Sequence, residues 1–273
     1  TRQVEEALDA GRVRVDPTRE PARHDDGLRR GGPRPPLAGV QRWQRLGLSP
    51  QAASLAQRTA LYWIRDPRLS TSLLTALLFP AIAVFLPRLP DASGDDMSGM
   101  GVFFLLFMGF LLGTVTGTLQ QYDSTALWIL VASGIRGRDE RLGRLVGTLP
   151  VVLVLMAVGT TAGAGFSGFL PVLGPLLTAV FVSYACAAAL AMVIGARWVF
   201  PVQPPGTSPL ATKGTGQFMT TALIQSLELV GGALLAAPAL GLLAAGLWGP
   251  LPWWVAVPVA LAWSVAALWG GVR

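Results

Sequence analysis

The sequence predicts an all-α membrane protein: six transmembrane helices, preceded by an interfacial elbow helix, with both termini cytoplasmic. Three observations lead there: a shortage of charge, apolar stretches of bilayer length, and basic residues that fall on alternate connections. Of 273 residues, 52% are hydrophobic and only 13% charged, and the mean hydropathy is +0.53. A soluble chain carries about 25% charged residues. The charge that is present crowds into residues 1–70 and 136–144. Lipid enforces such segregation, because a charge at the bilayer centre costs about 2.5–3.5 kcal/mol even on the lenient scale.

Residues 1–50, rich in Arg, Pro, Gly and Asp, bring too little apolar surface to offset chain entropy and read as a flexible cytoplasmic tail or linker, with at most a helical turn over residues 4–8. Residues 51–66 read as a helix on the membrane surface. Leu48, Leu55, Thr59 and Tyr62 recur at helical spacing, Arg58 and Arg65 stay polar, and Tyr62-Trp63 suit an interface. Pro67 ends that helix, since the residue before a proline leaves the helical region. The competing reading makes 51–66 the first turns of the next span.

Six apolar stretches follow, to be compared with the roughly 20 residues a spanning helix needs: about 70–86, 99–119, 145–170, 173–196, 218–237 and 251–269. The fifth is too long for one straight span if it runs to Leu247. Gly231-Gly232, Pro238 and Gly241 offer break points, so a re-entrant or interfacial segment is expected before Gly249-Pro250. Non-helical backbone at that depth survives only under protein or water cover. With this count the tail, loops 123–144 and 197–217, and Arg273 share one side, while Arg88 with Asp91, Asp95 and Asp96 lies on the other. The positive-inside rule makes the first side cytoplasmic.

A formal net charge of +6 and a pI near 10.6 raise nucleic-acid binding. The arginines flank membrane-length spans instead of forming one basic face, so they are assigned to topology and to the lipid bilayer, with no nucleic acid as partner. Cys186 is the sole cysteine and His24 the sole histidine. The first excludes an internal disulfide and a cysteine metal cluster; the second sits in the polar tail and argues against a His-based metal site or a Ser-His-Asp triad. The glycines of 197–217 match no phosphate-binding loop, so no cofactor site or enzymatic activity is assigned to this chain. Starting at Thr1 without a signal-peptide pattern, and stopping at Gly270-Gly271-Val272-Arg273, the chain reads as a fragment of a longer protein or a processed one.

Three features can carry function. Gly109, Gly113 and Gly117 share one face of the second span, and Gly159 and Gly163 one face of the third. Small residues at that spacing let helices approach closely; a substrate path along them is the alternative. In the loop 120–144, Asp123-Ser124-Thr125 can cap a helix whose apolar patch is Leu127, Trp128, Leu130 and Val131, ended by Gly134. With Arg136, Arg138 and Arg141 following, that helix is a docking knob for a soluble partner, or else a solvated loop whose arginines meet lipid phosphates. Glu228 is the one acid inside a span, fit to bind a cationic group, relay a proton, or bond to a neighbouring helix while neutral.

Arg65-Asp66-Pro67-Arg68 before the first span, Asp123…Trp128…Ser133-Gly134…Gly137-Arg138 after the second, and Phe200-Pro201-Val202…Pro205-Gly206…Pro209 after the fourth come in an order that resembles permease subunits of ABC-2 type exporters, particularly long actinobacterial ones. The likeness covers roughly 55–273 through loose motifs. It implies that 51–66 is the elbow helix, that 123–134 couples to a separate nucleotide-binding subunit using ATP and Mg, and that the segment after the fifth span is re-entrant on the outer face. It implies a bacterial cytoplasmic membrane location. It also implies a second six-span half, fused or as a homodimer partner, with 1–50 as the linker between halves. The rival expectations are a proton- or cation-coupled secondary transporter using Glu228 and a non-transporting membrane scaffold or sensor.

Overall fold

The computed structural model describes residues 38–85, 98–198 and 215–273, and among these every regular element is helical. Residues 39–273 make up one unit; of the other, 1–38, only Ala38 is described.

The first helix, α1 (Ala38–Arg45), falls inside the stretch expected to be a flexible linker. Trp43 gives it something to hold: its Nε1–H donates to Gln57 Oε1 at 3.0 Å, anchoring α1 on the next helix. A left-handed turn at Gly47 (φ 85°) then leads into α2 (Pro50–Arg65). Ser49 caps α2 by accepting from the Ala52 amide, and Pro50 occupies the first turn, where a missing N–H costs nothing. At the other end Asp66 is extended (ψ 113°) before Pro67, so α2 is a separate helix and not the first turns of the span that follows.

After α3 (Pro67–Phe85) come α4 (Ser98–Gly117), a 3-10 segment over Leu119–Ala126, and the short α5 (Leu127–Ala132). Then follow α6 (Gly137–Phe166), a 3-10 turn at Leu170–Val172, α7 (Leu173–Gly195), α8 (Thr215–Trp248) and α9 (Trp253–Val272). Five of these carry stretches long and apolar enough to cross a membrane, within α4, α6, α7, α8 and α9; the apolar part of α3, Thr71–Phe85, is shorter. The chain is thus a helical protein suited to a multi-pass membrane location.

Two boundaries differ from expectation. Helix α6 begins at Gly137 instead of near 145, because its polar first turns are themselves good helix. Asp139 and Glu140 sit at the positive end of the helix dipole, and Glu140 pairs with Arg144 four residues on. Helix α8 shows no break after Ala237: it runs unbroken through Gly231, Gly232 and Pro238 to Trp248. Proline removes one hydrogen bond, but in an apolar solvent every further opened peptide group would go unsatisfied, so the remaining bonds hold the helix together.

Helix α7 is the hub. In its most apolar 18-residue stretch 72% of residues are buried, against 22% for α8. Glycine makes the closest of its contacts possible. Side chains at Gly109, Gly113 and Gly117 of α4 would run into Val180, Tyr184 and Ala191 of α7 or their backbone, and one at Gly271 of α9 into Ala189. Gly159 and Gly163 of α6 instead face Pro80 and Met108, and Leu105. Gly143 and Gly147 press on Ala52 and Ala56 of α2, whose buried face of Ala52, Ala53, Leu55 and Ala56 thereby docks on the start of α6. A bond from Trp63 Nε1–H to Thr148 Oγ1 at 3.1 Å continues that seam.

Candidate functional site

Cross-helix contacts fix which helix ends lie together. At one end, the 3-10 segment meets α2 and α6 through Asp123, and the start of α6 meets the end of α9. At the other, Ser167 Oγ donates to the Ala83 carbonyl at 3.2 Å, joining the ends of α6 and α3. The first, basic end carries both features of interest.

One feature is a buried ion cluster. The Asp123 side chain is only 2% exposed and accepts from Arg58 Nη2 at 2.5 Å through both oxygens. It also accepts from Arg144, itself 4% exposed, which in turn bonds Glu140. Two guanidinium groups and two carboxylates leave no net charge, which is what lets four ionisable groups sit at the edge of an apolar bundle. The Asp123 carboxylate, expected to cap a helix, is held by these two guanidinium groups. It pins the 3-10 segment to α2 on one side and to α6 on the other.

The other residues expected to couple to a partner divide into separate groups. Gly134 adopts φ 68° and lets the chain turn after α5. The side chains of Leu127, Trp128 and Val131 lie outside what the structure describes, as do residues 200–209 and the acidic connection after α3. Arg136 and Arg138 are exposed. The Arg138 guanidinium stacks 4.8 Å from the Trp269 ring, which also receives Arg273 at 5.1 Å. Arg141 donates to the carbonyls of Gly137 and Arg273. Arg138 and Arg141 thus join the end of α9, while Asp123 joins Arg58 and Arg144, two residues that sequence reasoning did not mark as its partners. Each bears a sequence signal: Arg58 is the sole charge in 51–64, and Arg144 is the last charge before an apolar span.

The second feature is a cavity of about 590 Å³ between α3, α4 and α8. Phe107, Phe110 and Thr114 line it from α4, Thr118 from the turn after it, Gln121 and Tyr122 from the 3-10 segment, and Ser72 from α3. Gln225, Ser226 and Glu228 face it from α8. Glu228 is buried, and among the described residues it has neither a hydrogen bond to a neighbouring helix nor an ion-pair partner. One helical turn on, Gly232 meets Phe110, whose ring lies 3.1 Å from where a Cβ would stand. Beyond that contact a second, apolar cavity of about 290 Å³ opens between α4, α7 and α8, lined by Leu106, Leu176, Leu240 and Leu243 among others. The two spaces lie on either side of the Phe110–Gly232 contact. The first ends at Tyr122, next in sequence to the Asp123 pin.

Comparison of this chain with protein-family models, with curated proteins and with solved structures returns no match.

Proposed function

We propose that this chain is a transmembrane permease subunit of an ABC-type exporter in a bacterial cytoplasmic membrane. It spans six times with both termini inside, and α2 is its elbow. Substrate moves outward through the space between α3, α4 and α8. A separate cassette subunit, with its ATP and Mg, docks on α5 and the start of α6, and a second six-span half or a second copy completes the pathway. One observation carries this reading: the Asp123 pin joins the loop that would receive the partner to two helices, and the residue before it lines the cavity. Displacing that loop must move α2, α6 or the cavity floor, since breaking the buried pairs is costly. The order of its loose motifs, which resembles that of ABC-2 permeases, supports the same reading.

The test is purification of the tagged full chain from its native membrane. An ATP-binding-cassette subunit is expected to accompany it with Mg-dependent ATPase activity. Replacing the exposed Arg136 and Arg138 together by Glu should lower the recovered activity by roughly tenfold, as charge reversal at a polar docking rim does. Unchanged assembly and coupling in that variant overturns the docking site. The buried Glu228 favours one other reading, a proton- or cation-coupled secondary transporter. Flux driven by an imposed proton gradient, with no associated ATPase, would establish that reading and overturn the first.

A further inference from the structure

The cavity also bears on what is carried. Its lining combines four kinds of group: aromatic rings at Phe107 and Phe110, stacked with centroids 5.9 Å apart; the ring of Tyr122; hydroxyls and amides from Thr114, Thr118 and Gln225; and the Glu228 carboxylate. Among the described residues that line it, none is basic. Among those residues an anion finds no complementary charge. A neutral lipid chain would be served as well by the apolar cavity beyond Phe110, where no acid is needed. A cation finds a carboxylate without a competing ion-pair partner, and aromatic faces that attract positive charge. The volume lies within the 300–1,000 Å³ or so of sites that enclose drug-sized molecules and is far larger than a bare metal ion requires.

We infer that this cavity binds a lipophilic organic monocation, its charge held against Glu228 and its apolar body against Phe107 and Phe110. The inference rests on the cavity being the substrate path proposed above, and it names the class of substrate. Glu228 would recognise charge, and the Phe110–Gly232 contact would stop the ligand's apolar body from passing on until α4 and α8 separate.

The test uses the full chain in lipid nanodiscs and an isosteric pair of probes, radiolabelled tetraphenylphosphonium and tetraphenylborate, which share a shape and differ in the sign of charge. Saturable binding of the phosphonium and none of the borate is expected. Glu228→Gln should weaken phosphonium binding by roughly tenfold or more, the effect of losing one charge-assisted contact. Thr114→Phe keeps the carboxylate and fills the cavity, so it should abolish binding even if Glu228→Gln assembles poorly. Equal binding of the two probes overturns the inference, as does full phosphonium binding by either folded variant. The measurement needs no ATPase. Loss of the cassette partner would leave the cation site standing, and loss of phosphonium binding would leave the coupling reading standing.

Discussion

Asp123 carries more of this structure than its place in a loop would imply. Its carboxylate is buried between a guanidinium that is 32% exposed (Arg58) and one that is 4% exposed (Arg144). The Arg58 side chain is partly open to water and that of Arg144 is not. Asp123→Ala leaves Arg144 with Glu140 as its carboxylate partner but takes away one buried charge-assisted bond, so it should destabilise the protein by about 1–3 kcal/mol, and Arg58→Ala by about 1 kcal/mol. Thermal unfolding of the detergent-solubilised variants reads the difference; equal effects would mean the cluster is not shielded as described. The residue type was legible as important at this position, but its partners were not. Arg58 and Arg144 lie 65 and 21 residues away, and an Asp-Ser-Thr run has a local use, capping, that competes with any long-range use. Glu228 illustrates the opposite case. An acid within an apolar span stands out from sequence alone, whereas the rings and hydroxyls around it come from α4 and the 3-10 segment and appear only when the helices are packed.

At the scale of helices, the glycine spacing on α4 was readable because a four-residue period puts small residues on one face. Nothing in that spacing says which helix fills the groove; the answer, α7, depends on the alanines and backbone it presents at Tyr184, Ala187 and Ala188. The structure separates tight glycines from idle ones. Gly113→Val would press into Tyr184 and Ala187 and should lower stability by about 1–3 kcal/mol or more, as overpacking does. Gly241→Ala meets open space within α8 and should be neutral or stabilising by up to about 1 kcal/mol. Unfolding midpoints for the pair check the claim, and a tolerated Gly113→Val would show that α4 and α7 can part at little cost. The unbroken α8 was not legible, because glycine and proline are breakers in water, and only an apolar surrounding makes the intact backbone the better choice.

Over the whole molecule, the exposed Trp248, Trp253 and Trp254 gather where α8 passes into α9, opposite the basic end, and Trp269 marks the basic end itself. Amphipathic rings at both ends are what two membrane–water boundaries call for. With Cys186 replaced by Ser, single cysteines at Leu170 and Arg136 test the orientation. An impermeant maleimide applied to intact cells should label Leu170→Cys, and reach Arg136→Cys only after permeabilisation. The reverse pattern would invert the topology, and labelling of both from outside would overturn the number of crossings. Composition made the membrane class legible; the sidedness rests on the arginines, and those are as much a part of the packing as of the topology.

The Asp123 pin also sets an order of assembly. Arg58 precedes Asp123 in the chain and Arg144 follows it, with α3 and α4 between the first two. As the chain is made, α3 and α4 are completed while Asp123 has Arg58 as its one guanidinium partner. The cluster closes only when the start of α6 brings Arg144 and Glu140. Synthesis halted before Arg144 would leave the acid that follows α4 with one of its two arginines.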